Sequence, residues 1–283
     1  MEKIFLIGQD GMLGGELYER LINTGKYEVV PTTVETLNIC DREAVINKAK
    51  EIMPKYIINC AAFTNVDACE TNFELANNVN GVAVGNIAEA AKATDSVFIQ
   101  ISTDYVFDGE LETDKAYTED MIVGPVSAYG KSKLLGEENA KKAEKYYILR
   151  TAWLYGKGGK NFVKTMLKLA DERDEINVVC DQNGTPTSTT TLCEIIEKIM
   201  EINPEYGIYH STNEGFTTWY EFAKTIFELS GKDVKVNPVD SDAYPTPTKR
   251  PKNSKLSKEK LHNVGIYPKD YVECLKDYLK GGI

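Results

Sequence analysis

The chain has 283 residues, of which 33 are basic and 43 are acidic, so its formal net charge at pH 7 is −10. This length suffices for one large α/β domain with a smaller lobe, and the acidic balance without a basic, aromatic-laced stripe argues against nucleic-acid binding. No apolar run is long enough to cross a bilayer and no signal region precedes the first strand, so we expect a cytoplasmic protein without a membrane partner.

The cysteines and histidines give no sign of a metal centre. The six cysteines contain no Cys-x-x-Cys pair and no regular spacing, and only His210 and His262 could join them at an ion. We therefore expect reduced thiols and two structural histidines.

The first residues follow the order strand, glycine loop, helix. Residues 3–7 are a buried-strand run, Gly8, Gly11 and Gly14 follow, and residues 16–22 have a helical pattern. This order is the context of a dinucleotide-binding fingerprint, in which glycines permit a tight turn, a close pyrophosphate and close helix packing. The N-terminus of the helix then binds the phosphates. The spacing is Gly-x-x-Gly-x-x-Gly, so the position of the motif carries more weight than its glycine count.

The end of the second strand, residues 27–30, bears on the choice of nicotinamide. A carboxylate at this point would hold a ribose 2′-hydroxyl and favour NAD. Pro31, Thr32 and Thr33 stand there instead, and no arginine is present to bind a 2′-phosphate. The cofactor is therefore NADPH or NADH, with a slight preference for NADPH.

Strand and helix patterns alternate through the first half of the chain. We expect a helix over 41–53 with Asp41 as its N-cap, a strand over 56–60, an alanine-rich helix ending at residue 93 and a strand over 96–101. The alternation predicts a Rossmann-like, doubly wound parallel sheet of the α/β class.

The fourth strand delivers polar residues to the ligand end of the sheet. Ser102 and Thr103 follow it directly, while Tyr129 and Lys133 share one face at the start of a helix predicted over 132–144. A nearby ammonium lowers the pKa of a phenol, so Tyr129 is a candidate proton donor, and Thr103 could donate to the same substrate oxygen. A lone Tyr-x-x-x-Lys more often joins two surface residues. The N-terminal glycine loop favours the catalytic interpretation.

The second half of the chain predicts a second lobe. A glycine-rich loop over 157–162 marks the exit from the cofactor domain, and cofactor and substrate would meet between the lobes. We assign 1–156, with returning segments at about 177–213, to the cofactor domain, and about 157–176 and 214–283 to a smaller C-terminal substrate-binding lobe. The elements expected here are helix 163–170, strand 176–179, helix 192–202, strand 207–210 and helix 219–229 with Thr217 as N-cap.

Residues 239–253 change in composition to a proline-rich stretch that predicts a stiff loop without regular structure. Arg250 lies in it and is a candidate for binding a diphosphate, because a guanidinium can bond two phosphate oxygens at once. The alternative is a surface arginine beside a proline turn.

Together these features resemble the extended short-chain dehydrogenase/reductases, and more narrowly the dTDP-4-dehydrorhamnose reductases. The resemblance rests on the glycine loop, on Tyr129 with Lys133, and on the stretches 59–67, 102–107, 150–153, 181–187 and 250–254. The glycine loop and the Tyr-Lys pair are typical of the whole superfamily. The other stretches, above all the last two, are typical of the sugar-nucleotide reductases.

The resemblance implies reduction of the 4-keto group of dTDP-6-deoxy-L-lyxo-4-hexulose (dTDP-4-dehydrorhamnose) to dTDP-L-rhamnose by NADPH or NADH. Tyr129 would be the proton donor, Lys133 would hold the nicotinamide ribose and lower the pKa of the tyrosine, and Thr103 would bond the reacting oxygen. The resemblance places the sugar nucleotide at Thr103, Asp104, Trp153 and Arg250. It places the cofactor at Gly8, Gly11, Met12, Leu13, Gly14, Asn38, Ile39, Ala62, Phe63, Thr64, Ser102, Tyr129 and Lys133.

One departure from the family concerns a metal. Some relatives hold a divalent ion at a subunit contact with acidic side chains. Glu16 could serve as one ligand, but residues 188–191 offer only hydroxyls where the second acid would stand. Hard cations prefer carboxylates, so we predict no metal site, and a homodimer stays possible without one.

Two other functions stay open from the sequence. One is another nucleotide-sugar reductase or epimerase of the extended class, because pocket details set specificity. The other is a non-catalytic regulatory subunit resembling that of methionine adenosyltransferase, because fold alone does not imply function. The presence of Thr103, Tyr129, Lys133 and Arg250 together favours the enzyme.

Overall fold

The structure is a computed structural model that describes residues 1–281. The strands in this range are β1 (Glu2–Ile7), β2 (Tyr27–Thr32), β3 (Tyr56–Asn59), β4 (Val97–Thr103), β5 (Tyr146–Thr151), β6 (Leu154–Tyr155), β7 (Glu175–Val179), β8 (Asn183–Gly184), β9 (Thr187–Ser188), β10 (Gly207–His210), β11 (Thr217–Thr218) and β12 (Lys235–Val239). The α-helices are α1 (Met12–Asn23), α2 (Arg42–Ile52), α3 (Val66–Thr71), α4 (Phe73–Asn77), α5 (Ala83–Ala93), α6 (Ala128–Ala140), α7 (Phe162–Glu172), α8 (Thr189–Ile202), α9 (Trp219–Ser230), α10 (Glu259–Asn263) and α11 (Tyr271–Lys280).

The centre of the molecule is a parallel sheet. Among residues 1–281 it has six strands in the order β10-β5-β4-β3-β1-β2, and each neighbouring pair is parallel. A parallel sheet must be covered on both faces, which explains why its strands are continuous apolar runs. The prediction of a doubly wound α/β fold is confirmed.

Successive strand residues point to opposite faces of the sheet and form two cores. Ile4, Ile58 and Ile99 pack on one side with apolar residues of α1 and α8. Phe5 and Phe98 pack on the other side with α2, α5 and the end of α6. The polar ends of the strands remain free to form a site at the carboxyl edge.

A second lobe packs around its own core, which contains apolar residues of α7, β7, α9, β12 and α11. In this lobe β7 pairs with β12 in a separate two-stranded parallel sheet. Strand β7 thus packs in the core of the second lobe, whereas α8 packs in the core of the first lobe, and the domain bounds stay a prediction. Leu261 of α10 also packs in the core of the first lobe, so the region 214–283 is divided between the two lobes.

Several element ends follow their predicted caps. Asp41 caps α2 by accepting a hydrogen bond from Ala44 N, as predicted. Helix α6 begins at Ala128, one turn earlier than predicted, because Ser127 caps it by accepting from Gly130 N. Thr218, not Thr217, caps α9. In the part of the chain that is described, no helix combines the length and the apolar character needed to cross a membrane.

Candidate active site

The glycine loop between β1 and α1 has little room for side chains. Gly8 has a φ of +81°, and its amide donates to Thr32 O at 2.9 Å. A Cβ on Gly14 would lie 2.0 Å from Gly8 O, so the helix and the loop are in direct backbone contact. Gly11 precedes α1 and no side chain caps this end. The first N–H groups of α1 therefore form an anion site suited to a pyrophosphate.

Two predicted adenine contacts lie at the edge of this region. Asn38 is exposed, and its Oδ1 accepts from Cys40 N at 3.0 Å. The Ile39 side chain is buried in the core, while its carbonyl oxygen accepts from Asn86 Nδ2 at 3.0 Å. Asn38 is thus accessible to a ligand, whereas Ile39 presents only its backbone.

The loop after β3 is held by a residue that the sequence analysis missed. Asn80 Oδ1 accepts from Phe63 N at 2.7 Å, and Asn80 Nδ2 donates to Phe63 O and to Ser132 Oγ, each at 3.0 Å. Ala62 and Phe63 are half-buried and Thr64 is exposed. Asn80 lies in a π-helical turn, Asn78–Val82, and its hydrogen bond to Ser132 ties the loop after β3 to α6. The asparagine-rich run at residues 77–80, before the alanine-rich helix, is the sequence feature that could have indicated this role.

Tyr129 and Thr103 come together at the carboxyl end of β4. The Thr103 side chain lies beside the Tyr129 phenol, and the Thr103 hydroxyl donates to Asp104 Oδ1 at 2.8 Å. Burial raises the pKa of Tyr129 well above its ordinary value, and the nearby Asp104 carboxylate adds to this effect. The phenol is therefore held in its protonated form.

Lys133 lies beneath Tyr129 on α6 and is buried. Its ammonium donates to Ile101 O at 2.7 Å. Burial lowers the pKa of Lys133 to about 8, against the opposing effect of the Glu137 carboxylate. Burial of the phenol sets the direction of the Tyr129 pKa in this structure, and a lowering of that pKa by Lys133 stays a prediction.

The Ser102 side chain is buried at the end of β4. Its hydroxyl donates to Glu137 Oε1 at 2.6 Å, inside the protein. Glu137 also pairs with Arg150, which lies in the stretch 150–153 that carries the resemblance, but neither residue was given a site role from the sequence. The two residues are 13 positions apart in the chain, so no local pattern joins them.

Asp104 follows Thr103 and is 3% exposed. Burial raises the pKa of its carboxyl to about 6, in spite of the hydrogen bond from Thr103 and the nearby Ser254 hydroxyl, which both favour the charged form. Asp104 is therefore a buried acid at the place where the sequence analysis expected a sugar contact.

A cavity of about 800 Å³ lies between the lobes. Arg250 lines it and is oriented by two contacts: its Nη1 donates to Tyr105 OH at 3.1 Å and its Nη2 donates to Asp67 Oδ2 at 2.8 Å. The Tyr105 ring packs edge-on against the Tyr129 ring with centroids 5.6 Å apart. The cavity thus lies one aromatic ring away from the candidate proton donor.

The tryptophans stand beside this cavity. Trp153 follows β5 and stacks on Trp219, which lines the cavity from the second lobe. The structure therefore brings Thr103, Asp104 and Tyr129 together, places Arg250 and Trp219 across the cleft, and positions the glycine loop at the same carboxyl edge of the sheet.

Of the remaining candidates, Glu16 and His262 have side-chain partners inside the protein. Glu16 accepts hydrogen bonds from the hydroxyls of Thr189 and Thr190. His262 Nε2 lies 2.7 Å from Glu214 Oε1, and burial lowers the pKa of His210 to about 3, so that it is neutral. All six cysteines are free. Within residues 1–281 no cluster of three or more His, Cys, Asp or Glu side chains is arranged to hold a metal.

The chain is similar over nearly its whole length to a known sequence family and to several characterised proteins. The sequence family described as RmlD substrate binding domain matches residues 1–282. The spore coat polysaccharide biosynthesis protein SpsK of Bacillus subtilis is 41% identical over 99% of this chain and 98% of its own length. The dTDP-4-dehydrorhamnose reductase of Aggregatibacter actinomycetemcomitans is 40% identical over 98% of each chain.

Solved structures give the same result. A dTDP-4-dehydrorhamnose reductase from Clostridium acetobutylicum is 45% identical and covers 98% of both chains with a TM-score of 0.95. The dTDP-4-dehydrorhamnose reductase from Bacillus anthracis, solved in complex with NADP, is 38% identical and covers 99% of both chains with a TM-score of 0.95.

Proposed function

Because the chain belongs to the family of the dTDP-4-dehydrorhamnose reductases, we propose that it reduces the 4-keto group of dTDP-4-dehydrorhamnose to give dTDP-L-rhamnose, with NADPH or NADH as reductant. The observation that carries the proposal is the position of Tyr129 and Thr103 at the carboxyl end of β4, beside a cavity that holds Arg250.

The chain offers a matching set of groups for a dinucleotide. The uncapped start of α1 would bind the pyrophosphate through the backbone of Gly11, Met12 and Leu13. The Lys133 ammonium would bond the nicotinamide ribose, and the loop at Ala62 and Phe63 would border the rest of the cofactor. The bound nicotinamide supplies the hydride.

Tyr129 and Thr103 act on the oxygen that becomes an alkoxide. The raised pKa keeps the Tyr129 phenol protonated, so it has a proton to give as negative charge develops on the substrate oxygen. Thr103 would stabilise the same oxygen with a hydrogen bond. Closure of the second lobe over the cleft would exclude water from this step.

The sugar nucleotide would bridge the two lobes. Arg250 is held by Tyr105 and Asp67 and keeps further N–H groups for a diphosphate. Asp104 and Trp153 would contact the sugar close to Thr103. This arrangement would set the 4-keto carbon beside the proton donor and the diphosphate in the cavity.

The test follows the loss of absorbance at the nicotinamide wavelength when the protein meets dTDP-4-dehydrorhamnose with NADPH and, separately, with NADH. Tyr129→Phe should lower kcat by about 10²-fold or more while cofactor binding is retained, since general acid catalysis contributes on this scale. Tyr209→Phe is the matched control, because its buried hydroxyl donates to Glu205 O away from the site. Wild-type protein that binds cofactor yet turns over only another 4-keto nucleotide sugar, or none, would refute the assignment.

Self-association is a second part of the proposal. We propose a homodimer that does not depend on a metal, since Glu16 is occupied by two threonine hydroxyls. Light scattering with and without a chelator tests it. A dimer that dissociates when divalent ions are removed would contradict the metal-free mode of association.

A further inference from the structure

A buried network of three polar side chains lies directly behind the proposed catalytic groups. Arg150 Nε and Nη2 donate to the two carboxylate oxygens of Glu137 at 2.9 and 2.8 Å, and the Ser102 hydroxyl donates to Glu137 Oε1 at 2.6 Å. The exposed fractions are 0% for Glu137, 2% for Arg150 and 3% for Ser102. A fully paired carboxylate with no access to solvent is costly to bury, so its position calls for an explanation.

The network joins the elements that carry the proposed proton donor and its neighbours. Glu137 is on α6, four residues after Lys133 and eight after Tyr129. Ser102 is on β4 directly before Thr103, and it is the register partner of Arg150 on β5. Any movement of Glu137 therefore changes the separation between α6 and the end of β4.

A second link closes the same junction. The Lys133 ammonium donates to Ile101 O at 2.7 Å, one residue before Ser102. Helix α6 is thus attached to the end of β4 at two adjacent residues, once through Lys133 and once through Glu137. The two attachments together fix the face on which Tyr129 stands.

The charges around Lys133 are few in the described part of the chain. Its own helix contributes Glu137, whose carboxylate favours the ammonium, and Tyr129, whose phenol is neutral. The end of β3 contributes Cys60, a thiol that burial keeps neutral by raising its pKa to about 12. Strand β5 contributes Arg150, which is paired with Glu137. Glu137 is consequently the negative charge that acts on Lys133.

We infer that Glu137 is a positioning residue for the reduction: its carboxylate, held by Arg150 and Ser102, fixes α6 against the ends of β4 and β5 and supplies the negative charge that faces Lys133. The inference rests on the proposed function, because it assigns Glu137 a role in that reaction. Glu137 does not touch substrate or cofactor and acts only through Lys133 and through the placement of Tyr129.

The charges of Glu137 and Arg150 determine the direction in which Glu137→Gln shifts the pKa of Lys133. Burial lowers the pKa of Lys133 to about 8, and the Glu137 carboxylate opposes this. Glu137→Gln removes the favourable charge and leaves the Arg150 guanidinium unbalanced, and both changes disfavour a protonated Lys133. The alkaline limb of the profile of kcat/KM against pH should therefore move to lower pH by about one unit.

Arg150→Gln is the complementary variant and gives the opposite sign. It leaves the Glu137 carboxylate unbalanced, so Lys133 keeps its proton to a higher pH and the alkaline limb moves upward. A variant that only lost packing would have its activity lowered by the same factor at every pH. Such a loss would not move the alkaline limb in opposite directions in Glu137→Gln and Arg150→Gln. If Glu137→Gln does not fold, Arg150→Gln still tests the inference by itself.

The experiment measures cofactor oxidation with dTDP-4-dehydrorhamnose across the alkaline range, with folding checked by circular dichroism. Glu137→Asp keeps the charge and should restore the wild-type limb with a lower kcat. Glu197→Gln is the matched control: it breaks the ion pair with Arg20 between α8 and α1, and its profile should not shift. Unshifted profiles in the Glu137→Gln or Arg150→Gln variant would overturn the inference, whereas absence of wild-type turnover would refute the proposed function instead.

Discussion

The indole rings of Trp153 and Trp219 are stacked face to face, with centroids 3.5 Å apart and planes 8° apart. Trp153 follows β5 in the first lobe and has a φ of +48°, while Trp219 opens α9 in the second lobe. Gly184 packs against Trp153 so closely that a Cβ there would lie 2.6 Å from Cε2. These are the two tryptophans of the chain, so tryptophan fluorescence reports on the junction between the lobes alone.

The first prediction concerns this aromatic pair. Trp219→Ala should raise the KM for the nucleotide sugar about fivefold, because an aromatic pair contributes about 1 kcal/mol to the placement of Trp153. Trp219→Phe keeps a stacking ring and should stay near the wild-type value. Fluorescence titration with dTDP-L-rhamnose should change the wild-type emission. An Ala variant with an unchanged KM would show that the stack does not order the sugar site.

The second prediction compares Gly14 and Gly15, two adjacent glycines in the first turn of α1. A Cβ on Gly14 would lie 2.0 Å from Gly8 O, whereas the nearest atom to a Cβ on Gly15 is Gln9 O at 3.4 Å. Gly14→Ala should therefore abolish measurable NADPH binding, and Gly15→Ala should retain it, since alanine also favours the helix. Calorimetric titration of both variants with NADPH checks the difference. Equal affinities would contradict the close backbone contact proposed for this loop.

The third prediction concerns the diphosphate site. Arg250→Lys should raise the KM for the nucleotide sugar about 30-fold, because a point charge cannot replace two guanidinium hydrogen bonds worth roughly 2 kcal/mol. The affinity for NADPH should not change, since Arg250 lines the cavity between the lobes. Steady-state kinetics and a separate cofactor titration measure the two effects. A parallel loss of cofactor affinity would place Arg250 outside the substrate site.

The fourth prediction concerns the buried acid beside Thr103. Burial raises the pKa of Asp104 from 3.8 to about 6, so the folded protein holds this proton more tightly than the unfolded chain. The wild type then loses stability as pH rises from about 4 through about 6, by roughly 3 kcal/mol at most. Asp104→Asn removes the charge and should be more stable than wild type at about pH 8, with the advantage lost near pH 4.

Thermal unfolding of both proteins at the two pH values measures this difference. We also expect Asp104→Asn to weaken substrate binding. Asp104 would then lower the stability of the folded protein while it improves binding of the substrate. A variant that is equally stable at both pH values would show that the Asp104 carboxylate is not destabilised in the folded protein.

Local patterns in the sequence were sufficient for much of this description. Apolar runs predicted the central strands, Asp41 identified the start of α2, and four-residue spacing placed Tyr129 and Lys133 on one face of α6. The glycine loop was found because it depends on neighbouring residues only. Such features are decided within one or two turns of chain, where backbone geometry and side-chain period are fixed by the residues themselves.

Tertiary structure decided what depends on distant residues. The partner of β7 is β12, 60 residues later, and the Ser102 hydroxyl donates to Glu137, 35 residues later. The pKa of Tyr129 follows from burial, which no spacing reveals, and the Glu137–Arg150 pair exists only because α6 packs on β5. The physical reason is the same throughout: desolvation and packing depend on every neighbouring atom, and most of those atoms come from elsewhere in the chain.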